Sequence, residues 1–209
     1  KMKKLLILFF VASLSISSYA QDKVVLKQTF IKVNPGNNYA EDLKTKFGEM
    51  AQKRIDAGWQ SGWHLWEVVG NPQAPFTHLI VEPMTISQME KERTREGWLK
   101  MRKEAVPSMT DSDWRTFMED VREKRELVAE AMFVTVTDIK RDNKVNLPDD
   151  VGVVNWMKVK EGKFKTYENM EKSLYAKGLN KNGLRTGWSL GKRIDKYGID
   201  LYWNYFTVD

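Results

Sequence analysis

The sequence predicts an α+β fold built from two tandem β-α-β-β modules, the first completed by two further helices and a closing strand. Three observations predict it. The block Gly58-Trp59-Gln60-Ser61-Gly62-Trp63-His64-Leu65 returns as Gly183-Leu184-Arg185-Thr186-Gly187-Trp188-Ser189-Leu190, at an offset of 125. Two flanking blocks keep the same order: Phe30-Ile31-Lys32-Val33 with Trp156-Met157-Lys158-Val159 at 126, and His78-Leu79-Ile80-Val81 with Trp203-Asn204-Tyr205-Phe206 at 125. Within each copy, stretches that alternate with period two frame a segment with helical apolar spacing.

The elements follow in order. Val24 to Val33 is rich in β-branched residues and stops at Pro35-Gly36, as a strand does. Asn38 with Glu41 three residues on opens a helix whose apolar positions are Tyr39, Leu43, Phe47, Met50, Ala51 and Ile55, closed by Gly58. Trp63 to Val69 and Phe76 to Glu82 are strands around a Gly70-Asn71-Pro72 turn. Ser87-x-x-Glu90 reads as a capping box for a helix reaching Ala105, which Pro107 breaks. A second helix starts near Asp111 with Trp114, Phe117, Met118 and Val121 on one side, and Met132 to Ile139 closes the unit as a strand. The polar, Pro-containing segment 141–150 separates the copies. The second copy supplies a strand (151–159), a helix (166–180, with Tyr167, Met170 and Leu174 in its stripe) and two strands (186–194 and 198–208).

This gives four segments: 1–20 as a signal peptide, 21–140 as the first unit, 141–150 as a linker and 151–209 as a second unit that is truncated relative to the first. An orphaned half-unit leaves a sheet edge and a sheet face uncovered. The signal rests on Lys3 and Lys4, the apolar run Leu5 to Ala12, and small residues Ser18 and Ala20 at −3 and −1 of a cleavage point before Gln21. The run is too short to span a bilayer, which needs roughly 20 apolar residues. The expected destination is the periplasm or the medium.

Composition sets further bounds. Of 209 residues, 42% are hydrophobic and 30% charged, which suits a globular domain and neither a disordered chain nor a membrane bundle. The formal charge is +6, but cleavage removes Lys1, Lys3 and Lys4 and leaves 31 basic against 28 acidic residues over 189 positions. The remaining charges are interspersed, as in Lys91 to Glu104, so a solvated helix face explains them and a nucleic-acid partner is not expected. There is no Cys, which removes disulfides, thiol catalysis and thiolate metal ligands. Two His with scattered acids do not make a metal cluster, and no P-loop, HExxH, G-x-S-x-G or dinucleotide fingerprint occurs. No cofactor or metal is predicted.

The repeated βαββ pattern, with its G-x-x-x-G-W-x-L block entering the second strand, resembles the dimeric α+β barrel superfamily. That superfamily is built of ferredoxin-like βαββαβ units and includes the antibiotic-biosynthesis monooxygenase-like, stress-responsive barrel and NIPSNAP-like groups. The resemblance implies two units packed sheet to sheet with helices outside, one chain acting as its own pseudo-dimer. It implies a ligand cavity between the sheets and leaves further homo-oligomers open. Superfamily activities span oxygenases, isomerases, haem-degrading enzymes and non-enzymatic binders, so the fold alone assigns none. The Asn, Trp and His set associated with haem degradation has no counterpart at the required spacing.

Strand alternation selects candidate ligand-binding residues. Trp63, Leu65, Glu67 and Val69 share one side of the second strand and pair in the repeat with Trp188, Leu190, Lys192 and Ile194, a conserved apolar character that fits core. His64, Trp66 and Val68 pair with Ser189, Gly191 and Arg193, and a side that differs between copies suits a ligand. In the third strand Phe76, His78 and Ile80 align with Leu201, Trp203 and Tyr205, an aromatic row with polar tips. The cavity candidates are therefore His64, Trp66, His78, Trp203 and Tyr205. The expected function is non-catalytic binding of a small hydrophobic or aromatic ligand between the sheets. A cofactor-free monooxygenase or haem-related enzyme on the same fold, and an interaction module whose aromatics are all core, are the alternatives. The charged segment 87–132, with Trp98 and Trp114, is expected to cover the sheet rather than bind a membrane.

Overall fold

The computed structural model describes residues 23–70, 73–140, 151–182, 187–195 and 203–208. The expected signal peptide, the linker, the start of the second repeat block and the first half of the last expected strand lie outside them.

The first strand sets the architecture because its alternation is two-sided. In β1 (Val24–Val33), Leu26, Gln28 and Phe30 face one way while Val25, Ile31 and Val33 face the other. Such a strand must be covered on both faces. A helical segment follows, comprising α1 (Tyr39–Asp42), a π-helical stretch (Leu43–Phe47) and α2 (Gly48–Asp56). Gly58 ends it at φ +67°, a left-handed conformation that costs glycine nothing, with its N–H bonded to Ile55 O at 2.8 Å. The expected Asn38 cap is not used. Asn37 accepts from the Tyr39 N–H at 2.9 Å and donates to Lys124 O at 2.9 Å, because a side chain one residue earlier reaches both the helix start and the neighbouring helix end.

Strands β2 (His64–Glu67) and β3 (His78–Thr85) come next, then α3 (Ile86–Glu90), α4 (Arg95–Ala105) and α5 (Asp111–Lys124). The expected single helix over 87–105 is two helices. The capping box is Thr85 with Gln88, and Thr94 starts α4 afresh by accepting from the Gly97 N–H at 3.1 Å. Strand β4 (Arg125–Lys140) is 16 residues long, twice the expected closing strand, and it begins directly where α5 ends. The second copy gives β5 (Val154–Met157), α6 (Phe164–Asn182), β6 (Gly187–Arg193) and β7 (Tyr205–Val208).

Among the described residues, seven strands form one antiparallel sheet in the order β2-β3-β1-β4-β6-β7-β5. The first four give the ferredoxin-like order, with β1 and β2 parallel around β3. The order β6-β7-β5 repeats its first three strands. The long β4 is the hinge of the design. Its first half pairs with β1, from Arg125↔Val33 to Val134↔Val25, and its second half pairs with β6, from Phe133↔Arg193 to Lys140↔Gly187. The sheet curls so that its two edges converge. Gly152, just before β5, lies against the Trp66 ring of β2, where a Cβ would meet Cζ3 at 3.5 Å.

The fold is α+β, with helices on the outer face and an aromatic core inside the curl. Outside, Ile31, Tyr39 and Leu43 pack under Phe117 and Val121 of α5. A buried Arg54–Glu82 ion pair at 2.7 Å ties α2 to β3. Trp98 stacks on Trp59 at 5.1 Å, and Trp114 packs on Phe47 and Phe117. In the second unit, Trp188, Leu190 and Tyr205 pack under Phe164 and Tyr167 of α6. Trp188 and Leu190 thus occupy core, as expected, but the ends of their row do not: Val69 is 69% exposed and Ile194 47%. Met170 and Leu174 were expected in the buried stripe of α6 and are 46% and 57% exposed. Phe164, Tyr167 and Glu171 take the inward positions, and no described helix lies over the other flank as α5 does in the first unit. Val151 and Val153 beside β5 are open for the same reason, at 77% and 55%. No described helix is long and apolar enough to cross a membrane.

Candidate functional site

The inner face of the curled sheet carries a cluster of rings contributed by both copies. Phe30 of β1 meets Phe76 at 4.9 Å, Trp156 of β5 at 5.7 Å and Trp203 at 5.6 Å between ring centres. Trp156 is perpendicular to Phe76 at 5.6 Å and tilted against Trp203 at 5.5 Å. Edge-to-face pairs of this kind contribute about 0.5–1.5 kcal/mol each beyond their buried area. Phe30 and Phe76 are buried, whereas Trp66, Trp156 and Trp203 pack on the cluster and keep part of their surface open. Ala129 and Ala131 of β4 keep the neighbouring inner positions small.

One polar group sits among these rings. Gln28, 2% exposed and flanked on the sheet by Val81 and Ala131, accepts the indole proton of Trp156 on Oε1 at 3.3 Å.

The five residues expected to line a cavity divide between the two faces. Trp66 and Trp203 pack on the inner cluster, and His64 lies on the same side of β2 as Trp66, opposite Val81. Burial pushes the His64 imidazole below its ordinary value. His78 and Tyr205 do not belong with them. His78 opposes Glu67 while its neighbours Leu79 and Ile80 pack in the inner and outer clusters respectively, so His78 faces the helices. The expected aromatic row over the third strands fails because Phe76 and Trp203 precede their strands, next to bends at Thr77 and Asn204, where strict alternation does not apply. Only from His78 and Tyr205 onward does the period-two rule hold.

The outward pair have their own chemistry. Thr77 Oγ1 accepts the Val33 N–H at 2.9 Å, faces Ile31 O at 3.3 Å and lies 2.9 Å from His78 Nδ1. Ile31 O also accepts the Thr77 N–H at 2.8 Å, and the imidazole tautomer sets which of Thr77 Oγ1 and His78 Nδ1 donates to the other. Burial, against the opposing pull of Glu67, keeps His78 below its ordinary value. Tyr205, fully buried, donates its hydroxyl to Glu168 Oε1 at 2.6 Å, and Lys192 Nζ donates to the same oxygen at 3.2 Å. Burial and then the Glu168 carboxylate raise the Tyr205 hydroxyl well above its ordinary value. The Tyr205–Glu168 bond pins α6 to the sheet, while Thr77 ties the start of β3 to β1.

No family model matches the chain, and no curated protein sequence matches it. Solved structures do. A chain from Lactobacillus acidophilus NCFM named a "putative monooxygenase" superposes with a TM-score of 0.46 and 12% identity, over 90% of this chain and 75% of that one. A dimeric ferredoxin-like protein of unknown function from Thermobifida fusca YX superposes with a TM-score of 0.30 and 8% identity, over 56% of this chain and 94% of that one. These likenesses concern fold and carry no chemistry. The ferredoxin-like assignment stands on the strand order itself.

The two halves of the inner face differ where the repeat predicts. Trp66 of the first copy corresponds to Gly191 of the second. A Cβ at Gly191 would collide with the Phe206 ring, which lies across the glycine from the paired strand. Phe206 therefore closes the second half, and the Trp66 indole lines the first. Sequence reasoning missed Gln28, Trp156 and Phe76. The signal for Gln28 was available: it is in phase with Leu26 and Phe30, on the side a solvent-facing Gln would avoid. Among the described residues no group of three or more acids and histidines is placed to hold a metal ion.

Proposed function

We propose that this protein, acting after export, binds a small, flat, apolar molecule on the inner face of its curled sheet, without catalysing a reaction on it. One observation carries the reading. Trp66, Trp156 and Trp203 converge from both copies and stay partly open while the phenyl rings beneath them are closed. Ring faces left partly uncovered on a concave face supply stacking surface for a guest.

The test is a titration of the mature protein with haem, quinones, aromatic polyketides and fatty acids, followed by Trp fluorescence and thermal shift. Saturable quenching by flat ligands, abolished in Trp66→Ala and Trp203→Ala and kept in His78→Ala, supports the site. Oxygen uptake in the presence of a bound ligand would replace binding with catalysis. No response to any ligand would leave an interaction module.

A further inference from the structure

We infer that Gln28 is the specificity-determining residue of the inner face, donating a hydrogen bond from Nε2 to an acceptor atom on the edge of a flat, conjugated ligand. This rests on the binding reading above and adds the chemical class of the ligand: a ring system carrying a carbonyl or equivalent acceptor, in preference to the bare hydrocarbon.

The inference starts from a cost. A buried amide without partners loses its hydration and gets nothing back, a penalty of about 1–3 kcal/mol. Gln28 sits in the middle of β1, an interior strand paired on both sides, at 2% exposure. Its repeat counterpart at offset 126 is Val154, so an aliphatic side chain suffices at that register for packing alone. The Trp156 N–H can only donate, so the atom facing it is the amide oxygen. That fixes the orientation of the carboxamide and leaves Nε2 directed elsewhere, with two protons. Among the described residues no protein acceptor takes either one. The group is thus held by one end, against Trp156 and in phase with Phe30 on β1, with no acceptor among the described residues at its donor end. An acceptor on a ring stacked against the indoles would complete it.

A purely structural role, in which Gln28 exists to satisfy the Trp156 indole, gives different expectations. The experiment compares 9-fluorenone with fluorene, which share a flat skeleton and differ in one carbonyl. Affinities are measured by fluorescence quenching and calorimetry on the full chain, wild type, Gln28→Leu, Trp156→Phe and the double variant. Wild type is expected to bind the ketone at least about fivefold more tightly than the hydrocarbon, the scale of one neutral hydrogen bond. Gln28→Leu is expected to erase that ratio with fluorene affinity held. The same loss is expected when Gln28→Leu is added to Trp156→Phe, where no indole proton needs an acceptor. Equal binding of the two compounds by wild type, or a ratio that survives in either Gln28→Leu background, overturns the inference and leaves the site reading intact. Failure of wild type to bind both compounds overturns the inference together with that reading.

Discussion

The indole of Trp156 donates to Gln28 Oε1 at 3.3 Å, across 128 residues of sequence. The two residues lie on the first strands of the two copies, so this bond crosses the interior where the copies face each other. It places a polar contact inside an otherwise apolar cluster. The following expectations turn on that interior and on the sheet that encloses it.

Gly191 is required by Phe206. A methyl group at Gly191 would overlap the ring lying across it from the paired strand. Gly191→Ala is expected to destabilise the protein by about 1–3 kcal/mol, the usual scale of overpacking. Phe206→Leu in the same chain should recover part of the loss. Urea unfolding of the single and double variants measures both.

Phe30 is fully buried, meets three other rings and takes part in two strand pairings. Phe30→Ala is expected to cost about 3–5 kcal/mol, as for other buried aromatics. Phe30→Leu should cost less. Denaturation midpoints at constant slope report the difference.

Acid lowers stability through two outer-face groups of the same sign. Burial disfavours the charge on Glu168, but hydrogen bonds from Tyr205 and Lys192 outweigh it and hold the carboxyl below its reference value of 4.5. Its contribution is present above 4.5 and is lost as pH falls through the depressed folded value. His78, kept neutral by burial, is depressed below 6.5, so its contribution is present above 6.5 and is lost as pH falls toward its folded value. Stability should therefore fall in two stages on acidification. Tyr205→Phe should flatten the lower stage and cost about 1.5–3 kcal/mol at neutral pH, the scale of a bond to a charged group. His78→Gln should reduce the upper one, to which His64, also depressed by burial, contributes in the same direction. Thermal melts between pH 3 and 8 (roughly the span of these groups) separate them.

The continuous β4 makes the two copies one cooperative sheet. Amides of β1, bonded on both sides, should exchange with deuterium slowest, and those of β2 and β5 at the sheet edges fastest. Equal protection across all strands would contradict the strand order.

Much of the fold was legible in the sequence because the repeat and the period-two pattern are local signals. β1 was readable at its full extent, and the second copy was recognisable from Gly187-Trp188 and Trp156-Met157. The length of β4 was not, since its first half, Arg125 to Ala131, is charged and mixed and gains its strand character only by pairing with β1. The α6 stripe was misjudged because periodicity shows which residues share a flank, not which flank is covered. The inner aromatic cluster was half legible. Trp66 and Trp203 lie on it, whereas His78 and Tyr205 lie on the outer face, because alternation was extended back through Phe76 and Trp203, which precede their strands. Gln28 was passed over because a polar residue in a strand reads as solvent-facing until its neighbours are placed.

The most direct measurement follows the indole N–H signals of the eight Trp residues by NMR as 9-fluorenone is added. The account predicts saturable shifts at Trp66, Trp156 and Trp203, with the other five, Trp59, Trp63, Trp98, Trp114 and Trp188, unmoved. Shifts confined to the outer-face indoles, or none at saturating ligand, would contradict it.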